Sequence, residues 1–112
     1  MKLPNVQQAD LGSKLEEYSL NLLHREGQHK ARVFLSALGI SLDNVDLLRD
    51  AILQAAHISD DVETRGDIGF GDIYVLRFTM QTKVGAALVL TAWIIRQDED
   101  FPRLTTCYIL ST

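Results

Sequence analysis

The spacing of apolar residues changes once along the chain, and that change constrains the fold more than any other feature. Up to about His57, apolar side chains recur three and four residues apart; from about Ile73 onward they alternate or run together. The first spacing marks amphipathic helices and the second marks strands. Helices first and strands afterward predict an α+β fold. The expected architecture is N-terminal helices packed on one face of a C-terminal antiparallel sheet of three to four strands.

Three helices are expected. Ser13, with Glu16 three residues on, reads as a capping box. Leu11, Leu15, Tyr18 and Leu22 form one apolar stripe there, ended by "HREG" at 24–27. A second helix should run from about Gln28 to Leu38, with Val33, Phe34, Ala37 and Leu38 inward and Gly39 as its C-terminal cap. Asp43 or Asn44 can cap a third, which carries Leu47, Leu48, Ala51, Ile52 and Ala55 inward and ends near Ala56 or His57. "SDDVETRGDIGFGD" then reads as a polar loop, with room for a short strand near 62–64.

Three longer strands follow. "IYVLRFTM" places Tyr74, Leu76, Phe78 and Met80 on one face. "AALVLTAWIIR" is apolar on both faces, which predicts a central strand covered on each side. "RLTTCYIL" alternates Leu104, Thr106, Tyr108 and Leu110 with Arg103, Thr105, Cys107 and Ile109. Short connections favour an antiparallel meander. A chain of 112 residues without linker or repeat predicts one domain, helical over about 11–57 and sheet over about 62–112.

Several function classes are excluded at this level. No apolar run approaches the roughly 18 residues that span a bilayer, so no membrane segment is expected. The opening "MKLPNVQQAD" lacks the apolar region of a secretory signal, and the expected location is the cytoplasm. One cysteine, Cys107, excludes an internal disulfide and a multi-cysteine zinc site; strand spacing makes it a small apolar packer. His24 and His29 have no carboxylate or cysteine at ligand spacing, so no metal is expected. Phosphate-binding loops and nucleophile elbows are missing, and no cofactor is expected. The formal net charge of −4 argues against a general nucleic-acid coat but leaves room for a local basic cleft.

The candidate for such a cleft is "EGQHKARVF". Gly27 precedes a helix whose first turn and its neighbour carry His29, Lys30 and Arg32, although cations there oppose the helix dipole. The placement suits either a solvated helix start or an anion site with a histidine available for proton transfer. Arg103, Thr105 and Thr106 open the last strand; Arg can fork onto phosphate oxygens, yet Thr is also simply a good strand residue. On strand alternation Arg103 and Thr105 share one face and Thr106 lies on the other. Trp93 and Tyr108 read as core or as base-stacking rings. His24 and His57 suit helix C-termini as cations.

Taken together, "YSLNLLHREGQHKARVF", "SALGI", "GFGDIYV", "TAWIIR" and "FPRLTTCYIL" resemble a bacterial domain family of uncharacterised function. That family occurs as small stand-alone proteins and as C-terminal tips of polymorphic toxins, and the likeness spans Leu3 to Leu110. Phe70 stands where the family often has Tyr, and Leu22 where Pro is common. The toxin setting implies a metal-independent endoribonuclease similar to the barnase–EndoU–colicin–RelE group. The resemblance carries over Asn21, Gly27 and the polar motif positions. His29, Lys30, Arg103 and Thr106 would be catalytic, and His24, Trp93, Thr105 and Tyr108 would bind substrate. It implies RNA, tRNA included, as substrate and a cognate antitoxin or immunity protein as partner. A start at Met1 without a delivery domain favours a toxin–antitoxin module; the alternative is a non-catalytic, immunity- or antitoxin-like binding module.

Overall fold

The computed structural model describes residues 1–111. Two α-helices, α1 (Gln28–Leu38) and α2 (Val45–Ile58), precede four strands: β1 (Glu63–Asp67), β2 (Gly71–Gln81), β3 (Ala86–Arg96) and β4 (Arg103–Ser111). The strands form one antiparallel sheet in the order β1-β2-β3-β4. The α+β fold expected from the change of period is therefore the fold observed, with β1 filling part of the expected loop.

α1 forms because Ala31, Phe34 and Leu38 recur three and four residues apart and all three are buried. Gly39 ends it in the left-handed region at φ 68°, its N–H donating to the Leu35 carbonyl. Val33, expected inward, is 38% exposed. α2 buries Leu48, Ile52, Ala55 and Ala56, and Leu47 turns out to solvent instead of inward. Asn44 stands at the N-cap of α2, as expected, but makes no side-chain cap bond to it; the cap bonds belong to the turn just before, where Ser41 is the N-cap. Ser41 and Asn44 exchange side-chain and backbone bonds around the short 3₁₀ turn Leu42–Asn44.

The expected first helix does not form. Only one wide turn, Leu15–Ser19, is present, closed by Leu20 N–H donating to Leu15 O, and Ser13 makes no side-chain cap. The reason is tertiary: this segment follows the outer edge of β4. Asp10 N–H donates to Pro102 O, Leu104 N–H donates to Asp10 O, and the buried Ser19 Oγ donates to Cys107 O. A regular helix cannot keep those anchors and also bury Leu11, Leu15 and Leu20. Leu22 consequently faces water.

The helices cover one face of the sheet only. Trp93, Thr91 and Val89 of β3 point to it with Leu76, Leu104 and Cys107, and Trp93 is fully buried. Trp93 Nε1 donates to Thr91 Oγ1, and Thr91 Oγ1 donates to Leu76 O, so both buried polar groups are satisfied. Val75 and Leu90 lie on the opposite face, outside the main core cluster. The expectation that β3 is covered on both sides is thus overturned. Its outer apolar residues are shielded by neighbouring strands instead of by a second helical layer.

Strand alternation also fails where β4 begins. Ala92 pairs with Thr106 and Trp93 with Leu104, leaving Thr105 as the extra residue of a bulge. Arg103 and Thr106 consequently share the open face, whereas simple alternation puts them on opposite faces.

Candidate functional site

The side chain at the centre of the expected basic cleft is Lys30. Its ammonium passes the edge of β4 to the open face and donates to Thr106 Oγ1 at 3.3 Å and to Tyr18 Oη at 3.4 Å. It lies 4.6 Å from the Tyr18 ring centroid and 5.1 Å from that of Tyr108. Two aromatic faces stabilise a cation by about 0.5–1 kcal/mol each when partly exposed. Salt bridges among the described residues are made by Arg49, Arg65, Arg77 and Arg103, and no carboxylate pairs with Lys30. A half-buried cation beside hydroxyls and without a counter-ion suits an anionic ligand.

Tyr18 is held in place by a local knot. Its ring packs edge-on against His24, centroids 4.8 Å apart. His24 Nδ1 accepts from the N–H groups of Glu26 and Gly27 at 3.1 and 3.0 Å. That engages Nδ1 as an acceptor and fixes the orientation of the ring. His24 therefore accepts from backbone donors ahead of α1 instead of capping the C-terminus of a preceding helix. Gly27 is required because a Cβ there would run into the Tyr18 carbonyl oxygen.

The other expected site residues separate into three groups. Thr106 and Tyr108 join Lys30 directly. His29 is exposed on the first turn of α1, adjacent to Lys30 in the chain, with no hydrogen bond to the cluster among the described residues. Arg103, Thr105 and Trp93 leave the set. Arg103 donates through Nε and Nη2 to Glu99, at 2.8 and 2.7 Å, and through Nη1 to Asp10 at 3.1 Å, with Phe101 under its guanidinium. The hydrogen bond from Arg103 holds the Glu99 carboxyl below its ordinary range. With its fork engaged, Arg103 fastens the N-terminal segment to the β3–β4 connection. Thr105 Oγ1 donates to Ala92 O, and Trp93 is core, so its stacking role is overturned. Arg32 returns to solvent, bonded to Gln28.

Cys107 is fully buried, and burial pushes its thiol up to about 12, which makes it an unreactive packer. Among the described residues no group of three or more His, Cys, Asp or Glu side chains is placed to hold a metal. No helix of those residues is long and apolar enough to cross a membrane.

Tyr18 was missed as a site residue because its position in an apolar stripe reads as core. The available signal was chemical: a tyrosine in such a stripe has a hydroxyl that must reach a partner. Here the partner is Lys30.

No curated protein and no solved structure matches the chain. A family model described as "Domain of unknown function (DUF6883)" matches residues 2–111, and the chain belongs to that family.

Proposed function

We propose that the chain is a metal-independent endoribonuclease of the toxin type, with the scissile phosphodiester seated at Lys30. The observation that supports this reading is the ammonium of Lys30, free of carboxylate partners among the described residues and surrounded by hydroxyls. Because the oxygens of Tyr18 and Thr106 accept from Lys30, their own O–H groups are free to donate to a phosphate oxygen. Tyr108 offers a ring face to a neighbouring base.

In the proposed reaction the 2′-oxygen attacks phosphorus and the 5′-oxygen leaves, giving a 2′,3′-cyclic phosphate and a 5′-hydroxyl. His29 takes the 2′-hydroxyl proton and the Tyr18 hydroxyl gives one to the leaving oxygen; afterwards His29 releases its proton to water and Tyr18 regains one from water, so both are restored. Lys30 and Thr106 stabilise the charge that builds on the phosphorus oxygens. The partner of this reading is a neutralising antitoxin or immunity protein, and its setting is the cytoplasm.

The test is incubation of the purified protein with tRNA or total RNA in EDTA, beside Lys30→Ala, Tyr18→Phe and His29→Ala. Loss of one preorganised donor lowers kcat by about 10²–10³, so Lys30→Ala should cleave at least a hundredfold more slowly. Arg103→Ala should reduce stability more than it reduces kcat in the folded fraction. If the wild type leaves RNA intact and its expression does not slow growth, the enzyme reading fails. The net charge of −4 favours the second reading, a non-catalytic binding module. Recovery of a basic partner in a pull-down, undiminished by Lys30→Ala, distinguishes it.

A further inference from the structure

The two edges of the sheet are treated differently. Along β4, Asp10 bonds to the backbone of Pro102 and Leu104, and Ser19 caps the Cys107 carbonyl. Natural sheets cover their edges in this way because a bare row of N–H and C=O groups invites another strand. On the other side, β1 pairs only with positions 72–75 of β2. Among the described residues no strand lies beside residues 76–81 on the side away from β3.

That uncovered length borders a groove of about 820 Å³. Phe78 and Met80 point to the helical face of the sheet and Thr79 and Gln81 to the open face, yet all four line it. Residues of opposite pleat can border one groove only along a strand edge. The facing wall is α2, which presents Leu47, 54% exposed, and Ile58, 70% exposed, with Ala51 between them. Val84, in the 82–85 turn, closes one end. This turn is fixed by Thr82 Oγ1 donating to the Leu38 carbonyl at 2.8 Å, so the groove is preformed. Asp50 is the one carboxylate lining it, beside the apolar stripe of α2. Arg49 of the same helix bridges Asp46 and Glu16, so Asp46 is already paired, and Lys83 is the one cation lining the groove.

We infer that this groove takes an extended segment of a protein partner, added as a strand beside residues 76–81. Alternate side chains of the segment are apolar and pack on Leu47, Ala51, Ile58 and Val84, and a lysine or arginine meets Asp50. A strand supplies what the groove lacks: a row of backbone donors and acceptors for the open edge, with a two-residue period that sends every second side chain onto α2. Asp50, which has no cationic partner on α2, and the net charge of −4 favour a basic segment. The inference is independent of RNA cleavage.

The probe is a capped heptapeptide alternating valine and lysine, titrated into the isotope-labelled full chain by NMR. Shifts should concentrate at 47–58 and 76–84, and alternate amides within 76–81 should exchange at least tenfold more slowly when it is bound. Three changes should each weaken binding at least tenfold: glutamate in place of lysine, N-methylation of alternate peptide nitrogens, and Val84→Asp in the protein. Leu23→Asp, at a site 96% exposed outside the groove, should leave binding unchanged. Equal binding of the N-methylated peptide overturns strand addition, and equal binding of the glutamate peptide overturns the basic partner. Groove shifts that grow with protein concentration alone, with dimers by light scattering, would assign the groove to a second copy of this chain.

Discussion

His24 shows how a residue type that suggests catalysis can serve geometry instead. Its Nδ1 accepts two backbone N–H groups, so that nitrogen is occupied in holding the chain ahead of α1. An asparagine side chain places an oxygen close to the same point. His24→Asn should therefore keep most of the stability, whereas His24→Ala should cost about 1–2 kcal/mol, the cost of a lost cap; urea melts of both compare them. Cys107 gives a second prediction at this scale. Its burial and raised thiol mean that a thiol reagent should label the native protein only as fast as it unfolds, and at once in denaturant. Labelling of the folded protein within minutes would contradict the packing described. The sequence alone suggested the importance of Lys30 but not of Tyr18, because the contact between them crosses a break between the Leu15–Ser19 turn and α1 that no local period encodes.

Among the elements, α1 and α2 were legible because their inward stripes have helical spacing and real stop signals. Gly39 is one of these. At φ 68° with Val84 Cγ2 2.7 Å from where a Cβ would stand, Gly39→Ala combines a backbone cost of about 1 kcal/mol with a steric clash. The steric part should be relieved in the Gly39→Ala/Val84→Ala pair and the backbone part should remain, which thermal melts of the double-mutant cycle would separate. The segment before α1 was misread as a helix for an equally physical reason. Its stripe of Leu11, Leu15 and Tyr18 satisfies helical spacing, but Ser19 and Asp10 are recruited by the edge of β4, and those long-range bonds override local preference. The bulge at Thr105 was likewise invisible to alternation, since only the partner strand reveals which residue is extra.

For the whole molecule, one core joins the helical layer to one face of the sheet, with Phe34, Leu48, Ile52, Leu76 and Trp93 at its centre. Phe34→Ala should destabilise by about 3–5 kcal/mol, read by chemical denaturation. The N-terminal segment is fastened to that body by Asp10, Arg103 and Glu99. The folded Glu99 carboxyl is held below its ordinary 4.5 by Arg103. Its stabilising contribution is therefore present above that value and lost as pH falls through the lowered one. The gap in Tm between wild type and Glu99→Gln should be open at neutral pH and close below the ordinary carboxylate range; a gap constant with pH would contradict the clasp. Apolar periodicity by itself determined the α+β class and the two long helices, because burial of an amphipathic face is a local property repeated along the chain, and short connections determined the meander order of the strands. Tertiary structure alone decided that β3 is covered on one side, that Arg103 is a fastener, that Trp93 is core and that Lys30 meets Tyr18, Thr106 and Tyr108. Those outcomes depend on which edges and faces meet, and residues far apart in sequence settle that jointly.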